Sequence, residues 1–383
     1  MVPDILIIGD TFRCPELRHE IPLGVPDPFV YLEHDGARHV YIGSIEVERI
    51  RGLGLALEVH PLEEIGIDDL YAQELGWGEI RLESVARSCA HAGLARASVP
   101  HAFPAGHLDR LRRAGIELTV DQPLFDSRRR VKTAAQLAGI RRAQLAAEAG
   151  LVTGVALMRQ AENGDGVLWL DGEPLTVERV KAAIRGVFAQ HGCTAEEFVV
   201  APGQQGAGGH QMGHGPIRFG EPVVFDLWPR DEASSCFADM TRTIAVGAVS
   251  DEIRAWHAVT KQALERATAK VRHGVECREI FDLACDVFEA AGYPTKRTKP
   301  PGEVLRNGFI HSLGHGVGLE VHEGPYLSRV PAGPLLAGDV ITLEPGLYDP
   351  AIGGVRLEDL LLVTEDGCEV LTRFPYDLEV STT

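Results

Sequence analysis

The sequence predicts an α/β N-terminal domain over residues 1–126 and a larger α+β domain over 127–383, and three observations carry that reading. At 383 residues the chain exceeds what a single hydrophobic core usually serves, so two domains are expected. The first part alternates short strand-like and helix-like segments. Beyond it come two helical stretches, two acid-bearing strands, two more helical stretches and further strands, which suggests a duplicated α+β architecture.

Within the first domain, residues 4–9 read as a strand, and 29–32 with 39–42 read as a hairpin across the Asp35-Gly36 turn. Residues 79–92 are helical in pattern and stop at Gly93; 108–114 are helical and stop at Gly115, before a strand over 116–120. No motif here names an activity. The polar, basic stretch Asp126-Ser127-Arg128-Arg129-Arg130 is the expected boundary. Thr133 and Gln136 then form a capping box that starts a long helix, with Leu137, Ile140, Leu151, Val152, Val155 and Met158 as its apolar face. Thr176 caps a second helix, to about His191. Ser250 caps a third, whose first turn places Asp251 and Glu252 where carboxylates suit the helix dipole. After Gly274 a fourth runs over 278–291, ended by Gly292 and Pro294. Strands are expected at Val223–Leu227, 241–246, Val340–Leu343 and 360–363, the last turning at Asp366-Gly367 into 369–372.

Composition narrows the function classes. An apolar fraction of 45% and a charged fraction of 24% are those of an ordinary globular protein. Lys+Arg total 37 against 55 Asp+Glu, a net charge of −18, which argues against a nucleic-acid surface and fits a cytoplasmic enzyme. The 7 cysteines are scattered with no CxxC or CxxH spacing, so reduced thiols are expected. Ile5-Leu6-Ile7-Ile8, preceded by Asp4, is too short for a signal peptide, and nothing approaches the roughly 20 apolar residues of a membrane span.

Five residues carry the chemistry: Asp226, Asp239, His315, Glu344 and Glu358. Acids that end apolar runs, as in Val223-Val224-Phe225-Asp226 and Val340-Ile341-Thr342-Leu343-Glu344, ride on buried strands, where a lone carboxylate costs several kcal/mol. Four such acids and one imidazole repel one another unless divalent cations neutralise them. Oxygen-rich ligation with one histidine suits manganese, cobalt or zinc rather than a thiolate site. A two-metal hydrolase site follows. His311, His315 and His322 form a glycine-interleaved cluster that core packing does not explain. Pro345 and Gly346 turn the chain after Glu344, and Arg356 and Glu358 are expected on one strand face, where Arg356 can hold a ligand carboxylate.

Taken in order, these motifs resemble the metallopeptidases of the pita-bread fold, most closely the Xaa-Pro dipeptidases (prolidases) and aminopeptidase P. The resemblance runs from about Arg128 to Tyr376. It implies an α/β domain before a pita-bread catalytic domain and two divalent ions, manganese first, with cobalt or zinc as alternatives. By position, Asp226 would hold one ion, Asp239 and Glu358 would bridge, and His315 with Glu344 would complete the other site. The family's acid–base role falls on Glu344, and its substrate-facing histidines fall on His322 and His311. An upstream histidine maps to His210 or His214, with His210 preferred on spacing. The implied substrates are short proline-containing peptides, the implied assembly is a homodimer, and neither nucleic acid nor membrane is a partner.

Two branches remain open within that resemblance. A dipeptidase must grip a free carboxylate after proline, for which Arg329 is the candidate clamp; an aminopeptidase P leaves that side open. Creatinase keeps the fold without the ligands, and a peptide-binding relative would have lost catalysis, whereas all five ligand positions are filled here.

Overall fold

The computed structural model describes residues 3–382. The chain divides into two compact units, Met1–Arg129 and Arg130–Thr383, three residues beyond the expected boundary.

The first unit is built on a six-stranded sheet in the order Glu58–Pro61, Ala37–Ile42, Phe29–His34, Ile5–Gly9, Arg96–Val99, Glu117–Val120. Its central strand is an unbroken apolar run because both faces are covered. Leu6 and Ile8 pack into one core with Val85, Cys89 and Leu111, while Ile5 and Ile7 pack into the other with Leu17, Val47 and Ile50. The hairpin turns where expected, with φ of 48° at Asp35 and 81° at Gly36, both positive as a type I′ turn requires. The basic stretch at 126–130 is not a linker. It lies in helix Gln122–Arg130, where Phe125 is buried, Arg128 pairs with Glu20 and Glu33, and Arg129 pairs with Glu16. Its arginines look like linker composition only until their partners, roughly a hundred positions upstream, are seen.

In the second unit, Thr133 and Gln136 form the capping box of helix Ala134–Gln160. The helix packs through small residues, since Phe188 and Ile184 of helix Val177–Gln190 press against Gly150. Val152, expected on the apolar face, is 56% exposed, because it stands one position, about 100°, round from buried Leu151. This helix pair backs a sheet ordered Val199–Pro202, Val223–Leu227, Met240–Val246, Glu379–Val380. A second pair, Asp251–Thr268 and Cys277–Ala290, backs a sheet ordered Glu323–Leu327, Gly314–Gly316, Val340–Leu343, Asp359–Val363, Cys368–Val370. The two helix-pair-and-sheet modules keep separate cores, one containing Ile140, Ile184 and Phe225, the other Trp256, Phe281 and Leu343. A bridge between Thr241 and Glu358 links their sheets.

Arg356 and Glu358 do not share a strand. Arg356 ends Gly353–Arg356, which forms a separate hairpin with Gly346–Asp349, and the next strand begins at Asp359. Leu357 and Glu358 are therefore the crossing between two sheets, a break that a two-residue alternation rule cannot see. No disulfide links the cysteines, and among the described residues no helix is long and apolar enough to cross a membrane.

Candidate metal centre

Strand register brings the four acids together. Leu227 pairs with Met240 and Asp226 with Thr241, so Asp226 lies near the end of one strand while Asp239 immediately precedes its neighbour. In the second sheet Leu343 pairs with Asp359, which sets Glu344 and Glu358, one step beyond the pair, side by side at the sheet end. The Thr241–Glu358 bridge joins these ends: Glu358 N donates to Thr241 O at 3.0 Å and Thr241 Oγ1 donates to Glu358 Oε2 at 2.7 Å. His315 enters from strand Gly314–Gly316, its amide donating to Thr342 Oγ1 at 3.2 Å. Glycine flanks it on both sides because a Cβ on Gly314 would strike the Thr342 carbonyl and one on Gly316 the Gly324 carbonyl.

Ligand atoms of Asp239, His315 and Glu358 all lie within 4.8 Å of one another, and all three residues are buried. Nε2 of His315 is 3.8 Å from Asp239 Oδ2 and 3.6 Å from Glu344 Oε1. Its Nδ1 stands 3.1 Å from the Gly316 carbonyl, so Nδ1 carries the proton and Nε2 offers its lone pair to the acids. Asp226 is held by the Arg356 guanidinium.

Metal ions fit this donor set. Asp239 is 4% exposed, and its Oδ1 has no hydrogen-bond partner among the described residues, a cost of roughly 1–3 kcal/mol that a cation would remove. Burial and the charges of Glu358, Asp226 and Glu344 push the Asp239 carboxyl well above the usual range. Burial, with Glu344 and Asp226, does the same to Glu358. Burial raises Glu344 to about 8, Arg356 opposing and Asp226 reinforcing. Burial also holds His315 down to about 3, so it is a neutral ligand. Acids packed to repel and an imidazole kept neutral are what a divalent cation requires.

That arrangement has a measurable consequence. In chelator-treated protein these carboxyls keep protons that the unfolded chain releases, so stability falls as pH rises through their folded pKa values. By about pH 7.5, one unit above the ordinary imidazole value, the buried imidazoles are neutral in both states and contribute almost no opposing slope. Between about pH 7.5 and 8 the metal-free chain should therefore lose about 1.4 kcal/mol per pH unit for each proton held. The rise in Tm on adding a divalent cation should grow over the same window. A Tm gain independent of pH, measured by thermal unfolding with and without chelator, would refute this coupling.

Around the acids stands a shell only partly anticipated. Arg356 is 4% exposed, donating to Asp226, to Thr241 Oγ1 at 3.2 Å and to Tyr348 Oη at 3.0 Å, so it lies behind the acids rather than among groups open to a substrate. Tyr348, which the sequence did not single out, passes the contact on: its hydroxyl meets Nε2 of His311 at 2.8 Å, while Nδ1 of His311 donates to the Ser312 carbonyl at 2.7 Å. Burial, reinforced by Arg356, lowers His311 to about 3, which keeps it neutral. Arg242 was also missed. It is buried, donates to the Glu358 carbonyl at 2.7 Å and to Asp359 Oδ1 at 2.9 Å, and so fixes the sheet crossing. An arginine inside the buried strand Met240–Val246 was the available signal.

The remaining histidines differ in placement. His322 is exposed, its ring edge-on to His315 with centroids 4.3 Å apart. Partial desolvation of its ring lowers its pKa, with His210 reinforcing and Asp226 opposing. The adjacent Glu323 is buried against Lys132, which anchors this loop to the start of the long helix. His210 lies near both His311 and His322, whereas His214 is clamped to Gln205 through its backbone and lies near Glu178. Arg329 is exposed, two residues past strand Glu323–Leu327, and forms no hydrogen bond or ion pair among the described residues.

Comparison with known proteins places this geometry. Residues 138–365 match metallopeptidase family M24. Over 202 residues the chain is 35% identical to an Xaa-Pro dipeptidase of Pyrococcus furiosus, a stretch covering 52% of this chain and 54% of that protein. The match thus spans about half the length of that curated relative. In fold the chain is similar to an Xaa-Pro dipeptidase from Bacillus anthracis, with TM-score 0.79, 24% identity and coverage of 99% of this chain and 95% of that one. It is also similar to an X-Pro aminopeptidase from Thermotoga maritima, with TM-score 0.77, 22% identity and coverage of 99% and 97%. The expected pita-bread architecture is thereby borne out. Asp226, Asp239, His315, Glu344 and Glu358 all fall inside the matched stretch, and the chain belongs to metallopeptidase family M24.

Proposed function

We propose that this chain hydrolyses the peptide bond preceding proline, with Xaa-Pro dipeptides as its best substrates. The observation that carries the reading is the buried group of Asp239, His315 and Glu358, in which one carboxylate oxygen of Asp239 has no hydrogen-bond partner among the described residues, with Glu344 3.6 Å from His315. Two divalent ions held there, manganese by resemblance, would activate a water and polarise the scissile carbonyl. Glu344, at the end of its strand and 3.6 Å from Nε2 of His315, would take the proton of that water as a carboxylate and return it to the leaving nitrogen. His322, neutral and next to His315, donates to the carbonyl oxygen as charge develops on it. Arg356 holds the Asp226 carboxylate in orientation through its guanidinium. His311, packed edge-on against Phe309 and Tyr348, and His210 form the wall against which proline sits, since both ring nitrogens of His311 are already engaged. The homodimeric state rests on the resemblance alone, and the cytoplasmic location on the acidic balance and the scattered cysteines.

Arg329 supplies the length limit in this reading, supported by its position beyond the His322 loop and its free guanidinium. A charge-assisted hydrogen bond to a terminal carboxylate is worth roughly 1.5–3 kcal/mol, so Xaa-Pro acids should exceed their amides by about ten- to a hundred-and-fifty-fold in kcat/KM. Arg329→Ala should abolish that ratio and spare longer peptides. The test is one preparation assayed on an Xaa-Pro dipeptide, its amide, a tripeptide and a longer Xaa-Pro peptide. Equal rates on acid and amide, unchanged in Arg329→Ala, would move the assignment to aminopeptidase P.

A further inference from the structure

The N-terminal unit holds a second set of ligand-type side chains that peptide hydrolysis leaves unused. Strands Ala37–Ile42 and Glu58–Pro61 pair in parallel, with His39 opposite Glu58 and Tyr41 opposite His60. Glu58 and His60, two positions apart, share one face of the edge strand. Nδ1 of His39 lies 3.3 Å from Nε2 of His60 and 3.3 Å from Oε2 of Glu58, and Oε2 of Glu58 is 3.9 Å from Nε2 of His60. A tetrahedral ion with bonds of about 2.0 Å holds neighbouring ligand atoms roughly 3.3 Å apart, so these three atoms describe one face of such a tetrahedron.

The surroundings orient the rings for that purpose. Nδ1 of His60 meets Glu64 Oε2 at 2.8 Å, which fixes the proton there and leaves the Nε2 lone pair facing the cluster. The His60 ring stacks on Tyr41 at 4.6 Å and receives His91 edge-on at 5.2 Å. Burial holds the His39 pKa below its ordinary value, which favours the uncharged ring that a metal ligand requires. Glu58 is 59% exposed, so water can complete the coordination from outside.

We propose that His39, Glu58 and His60 bind one divalent transition ion of the zinc class, sharing no ligand with the peptidase centre and clamping the edge strand Glu58–Pro61 to the sheet. Two imidazoles and one carboxylate form a zinc-type donor set, unlike the acid-rich centre of the second unit.

The test uses the full chain and zinc alone as probe, in an Asp239→Asn/Glu358→Gln background that disables the peptidase centre. After equilibration and gel filtration, adding His39→Asn/His60→Asn to that background should lower bound zinc by one ion per chain. In the otherwise wild-type chain, the same histidine pair should leave kcat/KM on Xaa-Pro peptides unchanged. Should the double histidine variant fold poorly, Glu58→Gln, at an exposed position, should weaken zinc binding by at least about tenfold. Equal zinc content with and without the histidines, or equal affinity in Glu58→Gln, would overturn the proposal and leave a hydrogen-bonded cluster only.

Discussion

Asp239→Ala and Glu358→Ala should each take peptidase activity to background and lower bound metal, measured by elemental analysis of protein purified without chelator. Both side chains belong to the tightest ligand group, within 4.8 Å of His315, and both are almost wholly buried. Their loss should exceed the 10- to 100-fold scale on which even outer-shell partners of a metal act. Unfolding is not the expected cause. Asp239 carries an unsatisfied oxygen and a carboxyl that its neighbours force upward, so removing it relieves the metal-free chain rather than undermining it. Circular dichroism and thermal unfolding of the variants should therefore look native in the presence of chelator. Wild-type metal content and turnover in either variant would end the two-metal assignment.

His322→Ala should separate chemistry from metal binding. Its ring touches His315 edge-on, yet it stands exposed immediately before strand Glu323–Leu327 and lies outside the ligand group. The variant should keep its metals and lose roughly 10²–10³-fold in kcat, the scale for one donor to a developing oxyanion, with KM little changed. Loss of metal instead would mean that His322, not the neighbouring ring, is a ligand. A loss confined to KM would mean that it binds substrate uniformly and does not act on the transition state.

Much of this architecture was legible along the chain because it is specified locally. Thr133 with Gln136, Thr176 and Ser250 announce helix starts through hydrogen bonds that span three residues, and all three caps form. Asp35 and Gly36 announce a hairpin because only such residues accept positive φ in succession. The centre was legible for a related reason. An acid at the end of a buried apolar run is costly enough to require an explanation, and four of them with one histidine leave few.

What the sequence determined by itself is therefore the capped helices, the acid-bearing strands, the family and the residue types that gather at the centre. Which atoms meet was decided only in three dimensions. Arg356 turns behind Asp226 because a sheet crossing intervenes before Glu358; Tyr348 reaches His311, and Arg242 reaches the Glu358 carbonyl, across more than thirty and more than a hundred positions. His39, Glu58 and His60 were unremarkable apart and converge only through the parallel register of two strands. Caps and turns are short-range, so composition and spacing report them. Cross-strand neighbours are fixed by register and packing over long separations, which no local pattern encodes.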